Sequence, residues 1–239
     1  MKKGKKKHFE VSRTEGICAT AALAVVATAT VVTRWGELSG DAGAQIAAIM
    51  SAAHGGVGSN TVAQSVAEVL LAAGQVTMLE LLRRAMKHVS KAGAWIVGLW
   101  AVLTAVAAVV AAVPAASATY AYAHTPTAWD SFRATFLANN NILCGLLQVA
   151  TAAVCAIRFG GRALAYGISL IACPLVAGAL TAVAMTLWQQ AEGAPGAAAW
   201  GCQAAAVVAG MVPAALLRLA MTSRREAEPC AEDGDVSHL

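Results

Sequence analysis

Long apolar stretches alternate with short polar clusters along most of the chain. Six of these stretches contain few charged side chains, and each approaches or exceeds the roughly 20 residues that cross a bilayer as a helix. They are Gly16–Thr33, Val62–Leu82, Gly93–Val113, Phe136–Ile157, Ala163–Trp188 and Gly196–Leu219. Inside lipid, a helix satisfies its own backbone hydrogen bonds. The pattern therefore predicts an all-α fold, a polytopic transmembrane helix bundle of about six spans.

The second stretch, Val62–Leu82, is the most polar of the six. It contains Gln64, Glu68, Gln75 and Glu80. A charge near a helix centre costs about 2.5 to 3.5 kcal/mol, and each Val or Leu returns only about 0.3 to 0.6 kcal/mol. The free energy of inserting this helix alone is therefore close to zero, so we expect its insertion to depend on neighbouring helices.

A further apolar segment, Ala42–Ala53, is too short to span. Gly55, Gly56 and Gly58 follow it, which favours a re-entrant or surface element. The run HGGVGSN at His54–Asn60 is not a phosphate-binding loop. It lacks the Lys-Ser/Thr ending and the preceding strand that such a loop requires.

Basic residues predict which side of the membrane each polar cluster occupies. The basic clusters are Lys2–Lys7, Arg83–Lys91, Arg158–Arg162 and Arg218–Arg225. The clusters between them contain at most one arginine each, and they are Arg34–Thr61, Pro114–Thr135 and Gln189–Pro195. Because cytoplasmic loops carry the excess of Lys and Arg, the alternation predicts that both termini are cytoplasmic. We expect three regions: a basic N-terminus at 1–15, the bundle at 16–221, and an acidic disordered tail at 222–239.

The composition supports membrane insertion over solubility. Hydrophobic residues make up 58% of the chain and charged residues 13%, which is about half the charge of an ordinary soluble domain. Much of the net charge of +4 comes from the N-terminal lysines, so we expect the partner of this charge to be anionic lipid and not nucleic acid. The predicted location is the inner (plasma) membrane. Gly16–Thr33 also resembles a signal peptide, but its near-spanning length favours a retained helix over a cleaved one.

Glu68 is the first candidate for a functional residue, because an ionisable group within a span must be compensated. Gln64, Glu68 and Gln75 are spaced by four and seven residues, which places them on one helix face turned toward the bundle. Two interpretations stay open, a functional site and a hydrogen-bonded seam between helices. Glu80 is explained by an ion pair with Arg84, four residues further on.

His54 and His124 are the other candidates, because both lie on the predicted outer side. A neutral imidazole there can accept a proton from a substrate, although each also fits a solvated loop residue. None of the five histidines lies in a span core, so we expect no haem. The six cysteines form no C-x-x-C pair, which favours small apolar packing residues and no metal site. Asn139, Asn140 and Asn141, with Gln148, fit either a wet pocket or contacts between helices.

Around the third and fourth spans the sequence resembles the membrane-anchor subunit of the dimethyl sulfoxide reductase type of molybdoenzyme. The similar segments are YAYAHTPTAW at Tyr120–Trp129 and DSFRATFLANNNILCGLL at Asp130–Leu147, with a weaker echo in GSNTVAQS at Gly58–Ser65. The resemblance implies an anchor that holds a molybdopterin catalytic subunit and an iron–sulfur subunit. It also implies oxidation of menaquinol, with electrons passed to the iron–sulfur partner.

The chain departs from this family at the quinol site that the resemblance implies. The family's histidine falls near Trp35 here, and its glutamate position holds Thr61. The remaining candidates for quinol binding or proton acceptance are His54, Glu68 and His124. The six spans would match the second to seventh of the family's eight helices, so its first and last helices have no counterpart.

Two other classes of function remain open. A small-solute transporter or channel component typically contains internal repeats and paired broken helices. No convincing repeat is visible, although Pro114, Pro174 and Pro213 interrupt or end helices. A membrane protein with a structural role and no small-molecule site is the third class.

Reporter fusions test the predicted topology. Alkaline phosphatase, which is active only outside the cytoplasm, is expected to be active when fused after Asp41, Thr127 or Glu192. Fusions after two inner positions, Lys87 and Gly161, and after Glu226 in the tail are expected to be inactive, because the positive-inside rule places these residues in the cytoplasm. Activity of any two of these three fusions, after Lys87, Gly161 or Glu226, would contradict the six-span topology.

Overall fold

The structure, a computed structural model, describes residues 9–38, 62–113, 128–190 and 196–223. Within these ranges the chain forms seven helices and two short strands. In chain order they are β1 Phe9–Val11, α1 Arg13–Thr33, α2 Trp35–Leu38, α3 Val62–Lys87, α4 Lys91–Ala112, α5 Ala128–Arg158, α6 Arg162–Gln190, α7 Ala197–Ala220 and β2 Met221–Ser223. The short apolar segment Ala42–Ala53, the glycine run after it and the acidic tail from residue 224 lie outside the described residues.

The predicted all-α membrane architecture is confirmed in its main feature. Five described helices, α1, α4, α5, α6 and α7, are long and apolar enough to cross a membrane. The second predicted span also forms one continuous helix, α3, but it is not among those five. Its glutamates and glutamines account for the difference, since they reduce its apolar character. Six spans and cytoplasmic termini therefore stay predictions.

The start of α5 differs from the prediction. The sequence pattern placed Pro114–Thr135 in an outer loop, whereas α5 already begins at Ala128. Two charged residues of this first part, Asp130 and Arg133, are each only 7% exposed. Asp130 lies in the first turn, where a negative charge complements the helix dipole. Hydropathy missed these turns because their charges are buried against protein.

The six long helices pack in the order α1, α3, α4, α5, α6 and α7, so that each contacts its neighbours along the chain. A less extensive contact between α7 and α1 closes the ring. Arg218 Nε of α7 donates to Thr20 Oγ1 of α1 at 2.7 Å, and Trp200 Nε1 of α7 donates to the Leu38 carbonyl of the adjoining α2 at 2.8 Å.

The two strands form a parallel pair, with Phe9 opposite Met221 and Val11 opposite Ser223. Because β1 leads into α1 and β2 follows α7, the start and end of the bundle lie together on one side. We call this the inner end of the bundle and the opposite side the outer end. Hydrophobic periodicity did not predict these strands, which are three residues each.

A capping box fixes the transition from β1 to α1. The Ser12 backbone N–H donates to Glu15 Oε2 at 2.8 Å, and the Glu15 N–H donates to Ser12 Oγ at 3.2 Å. These bonds satisfy backbone donors that have no partner within the helix. They therefore hold β1 close to the first turn of α1.

The fully buried side chains gather at the inner end. Phe9 is 0% exposed, and its ring centroid lies 4.6 Å from that of Phe159 and 6.3 Å from that of Tyr166. Leu82 and Met86 of α3 are also fully buried in this cluster. The short strand β1 therefore contributes one of the central side chains of the core.

Glycines allow the helices to approach closely. A Cβ atom at Gly167 of α6 would lie 2.6 Å from Cys155 Cβ of α5, and one at Gly74 of α3 would lie 2.7 Å from Val26 Cγ2 of α1. Small residues at such crossings strengthen packing between helices in lipid, where van der Waals contact replaces the hydrophobic effect.

Gly167→Leu is expected to lower the thermal stability of the detergent-solubilised protein, by about 1 to 3 kcal/mol in unfolding free energy, because no space exists for the new side chain. Gly178→Leu is the matched control on the same helix, since nothing lies within 4 Å of its Cβ position. Unfolding midpoints of both variants measure the effect. Equal midpoints would contradict the close contact between α5 and α6.

Candidate functional site

Of the three candidate residues, the structure describes Glu68 alone. His54 and His124 lie outside the described residues, as does Thr61. Trp35, which stands near the family's histidine position, is 62% exposed in α2.

Glu68 lies on the face of α3 that is directed into the bundle, and it is half-buried. At 100° per residue, its direction falls within about 40° of those of Leu79, Leu82 and Met86. All three are buried in the core at the inner end. The predicted orientation of Glu68 toward the bundle thus agrees with the packing of α3.

Gln75 lies on the same face between Glu68 and Leu79, yet its side chain is exposed. A polar residue on the inward face of a fully packed bundle is expected to be buried and hydrogen-bonded. The inward face of α3 is therefore sealed near its inner end and accessible further out.

An apolar cleft runs between α1 and α3 in the outer half of both helices. It has a volume of about 560 Å³ and is lined by Ala24, Val25, Thr28, Ala29, Val32, Val66, Ala67 and Leu70. The cleft begins above Gly74, where the two helices touch. Val66 and Leu70 are about half-exposed on the outer surface of α3, so the cleft faces lipid. Its apolar walls suit a hydrocarbon chain.

Glu80 belongs to an ion-pair cluster near the inner end of α3. Arg83 donates two hydrogen bonds to its carboxylate, at 2.6 and 2.8 Å, and Arg84 Nε donates one at 3.0 Å. Arg84 also reaches Glu15 of α1 at 3.8 Å. The predicted pair with Arg84 is present, and the additional bonds to Arg83 explain how the Glu80 charge is balanced.

A polar seam joins α4 and α5. Asn140 is 5% exposed, and its Nδ2 donates to Cys144 Sγ at 3.6 Å, while the side chain of Thr104 of α4 lies beside Cys144 and donates to the Trp100 carbonyl of its own helix. Among the described residues, Asn140 Oδ1 has no hydrogen-bond partner. The bond from Asn140 to Cys144 lies within α5, so both interpretations of Asn140, a wet pocket and contacts between helices, stay open. Asn139 and Asn141 are exposed.

Arg133 is a structural residue that the sequence pattern did not identify. Its Nη2 donates to the Ala111 carbonyl at 3.0 Å and its Nε donates to the Val110 carbonyl at 3.4 Å. These carbonyls end α4, where the helix itself supplies no donors and a positive charge is favourable. The sequence feature that could have identified Arg133 is its position as an isolated arginine between a polar loop and an apolar stretch.

The cysteines occupy varied environments. Among the described ones, Cys155 is buried, Cys144, Cys173 and Cys202 are partly exposed, and Cys18 is exposed. Only Cys155 therefore matches the expectation of a fully buried small apolar residue. No group of three or more His, Cys, Asp or Glu side chains suited to a metal ion occurs among the described residues.

Comparison with known proteins returns no match among protein-family models, curated proteins or solved structures. The resemblance to molybdoenzyme anchors therefore rests on the quoted segments alone. Tyr120–Trp129, which carries most of it, includes residues outside the described ranges.

Substitutions at Glu68 test its inward orientation. Glu68→Leu is expected to reduce assembly or stability because it removes the polar group from the bundle-facing side, whereas Glu68→Gln keeps hydrogen bonding and is expected to be tolerated. Val69→Leu is the control, since Val69 is about half-exposed on the next position of α3. The yield of monodisperse protein after detergent extraction measures all three. Normal assembly of Glu68→Lys would contradict a packed, hydrogen-bonded seam between helices at this position and would indicate that the residue faces water or headgroups.

Proposed function

We propose that this chain is the membrane-anchor subunit of a reductase of the dimethyl sulfoxide reductase type. In this role it oxidises menaquinol to menaquinone, which releases two electrons and two protons. The electrons pass to an iron–sulfur partner subunit and from there to a molybdopterin catalytic subunit. The acceptor is an S-oxide, an N-oxide or a similar compound, and the catalytic subunit selects it.

The observation that carries the proposal is the sequence segment Tyr120–Trp129 with the helix that follows it. The five apolar helices support a role within the membrane. The predicted topology supports it as well, because it places the loops of the six spans on the same sides as those of the family's second to seventh helices. The proposal places the chain in the inner membrane.

The outer half of α3 offers features that suit a lipid-soluble quinol. The apolar cleft has room for part of an isoprenoid tail, and its lining residues Ala67 and Leu70 lie within one turn of Glu68. In this turn of α3, the Glu68 carboxylate lies on the side that faces the bundle, and the cleft lies on the side that faces lipid. A headgroup that enters between α1 and α3 above Gly74 would meet Glu68.

Quinol oxidation requires proton acceptors near the site. Glu68, His54 and His124 are the titratable residues proposed for this role. The first lies in the outer half of α3, and the sequence places both histidines in outer segments. Menaquinol is the only cofactor or substrate proposed for this chain itself, and we propose no haem.

Purification in mild detergent tests the anchor assignment. The chain is expected to co-purify with an iron–sulfur protein and to support menaquinol-dependent reduction of an S- or N-oxide in membranes. Replacing Glu68 by Gln, or either histidine by Ala, is expected to slow quinol oxidation by about 10²-fold or more where the residue accepts a proton. Glu10→Gln, an exposed carboxylate at the inner end, is the control.

Two results would contradict parts of this proposal separately. Full rates in all three variants of an assembled complex would reject the proton-acceptor assignment. Failure to recover an iron–sulfur partner would reject the anchor assignment, and a small-solute transporter or channel component would then be the favoured class.

A further inference from the structure

The inward face of α4 changes from buried to accessible partway along the helix. Ala94, Val97 and Ala101 are buried, whereas Thr104 and Ala108 further out are partly exposed. All five follow one another at intervals of three or four residues, so they lie along one face. The face that forms the core near the inner end thus loses its packing toward the outer end.

The same change occurs on α6. Ala163, Tyr166 and Leu170 are buried at the inner end, and Cys173 and Ala177, which continue the same face at the same spacing, are partly exposed. Ala184, on the same face near the outer end of α6, is buried again, so the accessible stretch of α6 lies in its middle. The parallel behaviour of two helices that are not neighbours in the ring indicates that the cause lies in the centre of the bundle.

Helices α3 and α5 change at a similar depth. From the inner end outward, α3 has the buried Leu82 and Leu79 and then the exposed Gln75. In the same direction, α5 has the buried Ala152 and then the partly exposed Gln148. On each of the four helices, the first accessible residue lies about 15 to 20 Å from the inner end of the helix, at a rise of 1.5 Å per residue. One boundary therefore crosses the bundle interior.

We propose that the outer half of the bundle encloses a water-filled vestibule, and that β1 seals its inner floor. Polar side chains line it. Gln75 from α3, Thr104 from α4 and Gln148 from α5 lie at the depths where accessibility begins, and Glu68 from α3 lies further out, about 28 Å from the inner end. Such groups retain water in a cavity that apolar walls alone would leave dry. With one carboxylate among them, the vestibule suits water and small cations, protons included.

Phe9 is the centre of the floor. Its side chain comes from a three-residue strand and not from any of the six long helices, and it is completely buried against Phe159 and Tyr166. An apolar constriction of this kind blocks water and ions because it does not wet. Removing the ring therefore leaves a gap in the seal without removing a contact between two of the long helices. This inference does not depend on the anchor assignment.

Cysteine accessibility tests the vestibule. In a full-length variant with its six native cysteines replaced by alanine, a membrane-impermeant cationic thiol reagent is added from the outer end. Gln75→Cys is expected to react at least about 10-fold faster than Leu82→Cys in the floor or Val102→Cys on the lipid face, because only a water-exposed thiol ionises readily. An unreactive Gln75→Cys, or one modified only by a lipid-soluble maleimide, would overturn the water-filled vestibule.

Phe9→Ala tests the seal. In liposomes that contain the purified protein, this variant is expected to raise the proton leak several-fold, and Leu82→Cys combined with it is expected to become reactive from the outer end. Phe9→Leu keeps an apolar side chain and is expected to remain tight. Phe132→Ala, which removes a ring that is 53% exposed on α5, is the control. If Phe9→Ala remains monodisperse, shows no leak and leaves Leu82→Cys protected, β1 is not the seal.

Discussion

Close packing of small residues at the inner end is the constraint on which the rest of this structure depends. Lipid tails are as apolar as leucine, so the hydrophobic effect does not drive these helices together. They are held instead where backbones approach closely, as at Gly167 against Cys155 near the inner end and at Gly74 against Val26 about halfway along α3. The aromatic cluster around Phe9 fills the space that remains between the inner ends. The ring closes where α7 meets α1 and α2, with one hydrogen bond to each.

This uneven packing also decides where polar groups are tolerated. At the inner end, Glu80 is neutralised by Arg83 and Arg84 at the boundary of the core. In the outer half, Glu68 and Gln75 occupy the inward face, where an ionisable group is costly if the space is dry. An accessible interior reduces that cost. The proposed quinol-oxidising role and the proposed vestibule both use this half of the molecule, and the proposed seal at the inner end would separate it from the other side of the membrane.

Much of the fold follows from composition and length. The six predicted stretches coincide with α1 and α3 to α7, because charge is expelled from lipid and helix length is set by bilayer thickness. The face of Glu68 followed from a spacing of four and seven residues. The sequence pattern did not predict the first turns of α5, because Asp130 and Arg133 are charged residues that are buried in the structure. Hydropathy cannot detect a charge whose partners are the carbonyls of another helix, as those of Val110 and Ala111 are for Arg133.

The sequence by itself determined the class of the protein, the limits of most helices and the inward side of α3, because each depends on local periodicity along one helix. Only the tertiary structure decided that β1 pairs with β2, that Phe9 occupies the centre of the core, and that Gln75 is exposed on a face whose inner end is buried. Those features join residues as far apart as Phe9 and Met221. Their energies come from contacts between separate helices and strands, which no pattern within a single segment encodes.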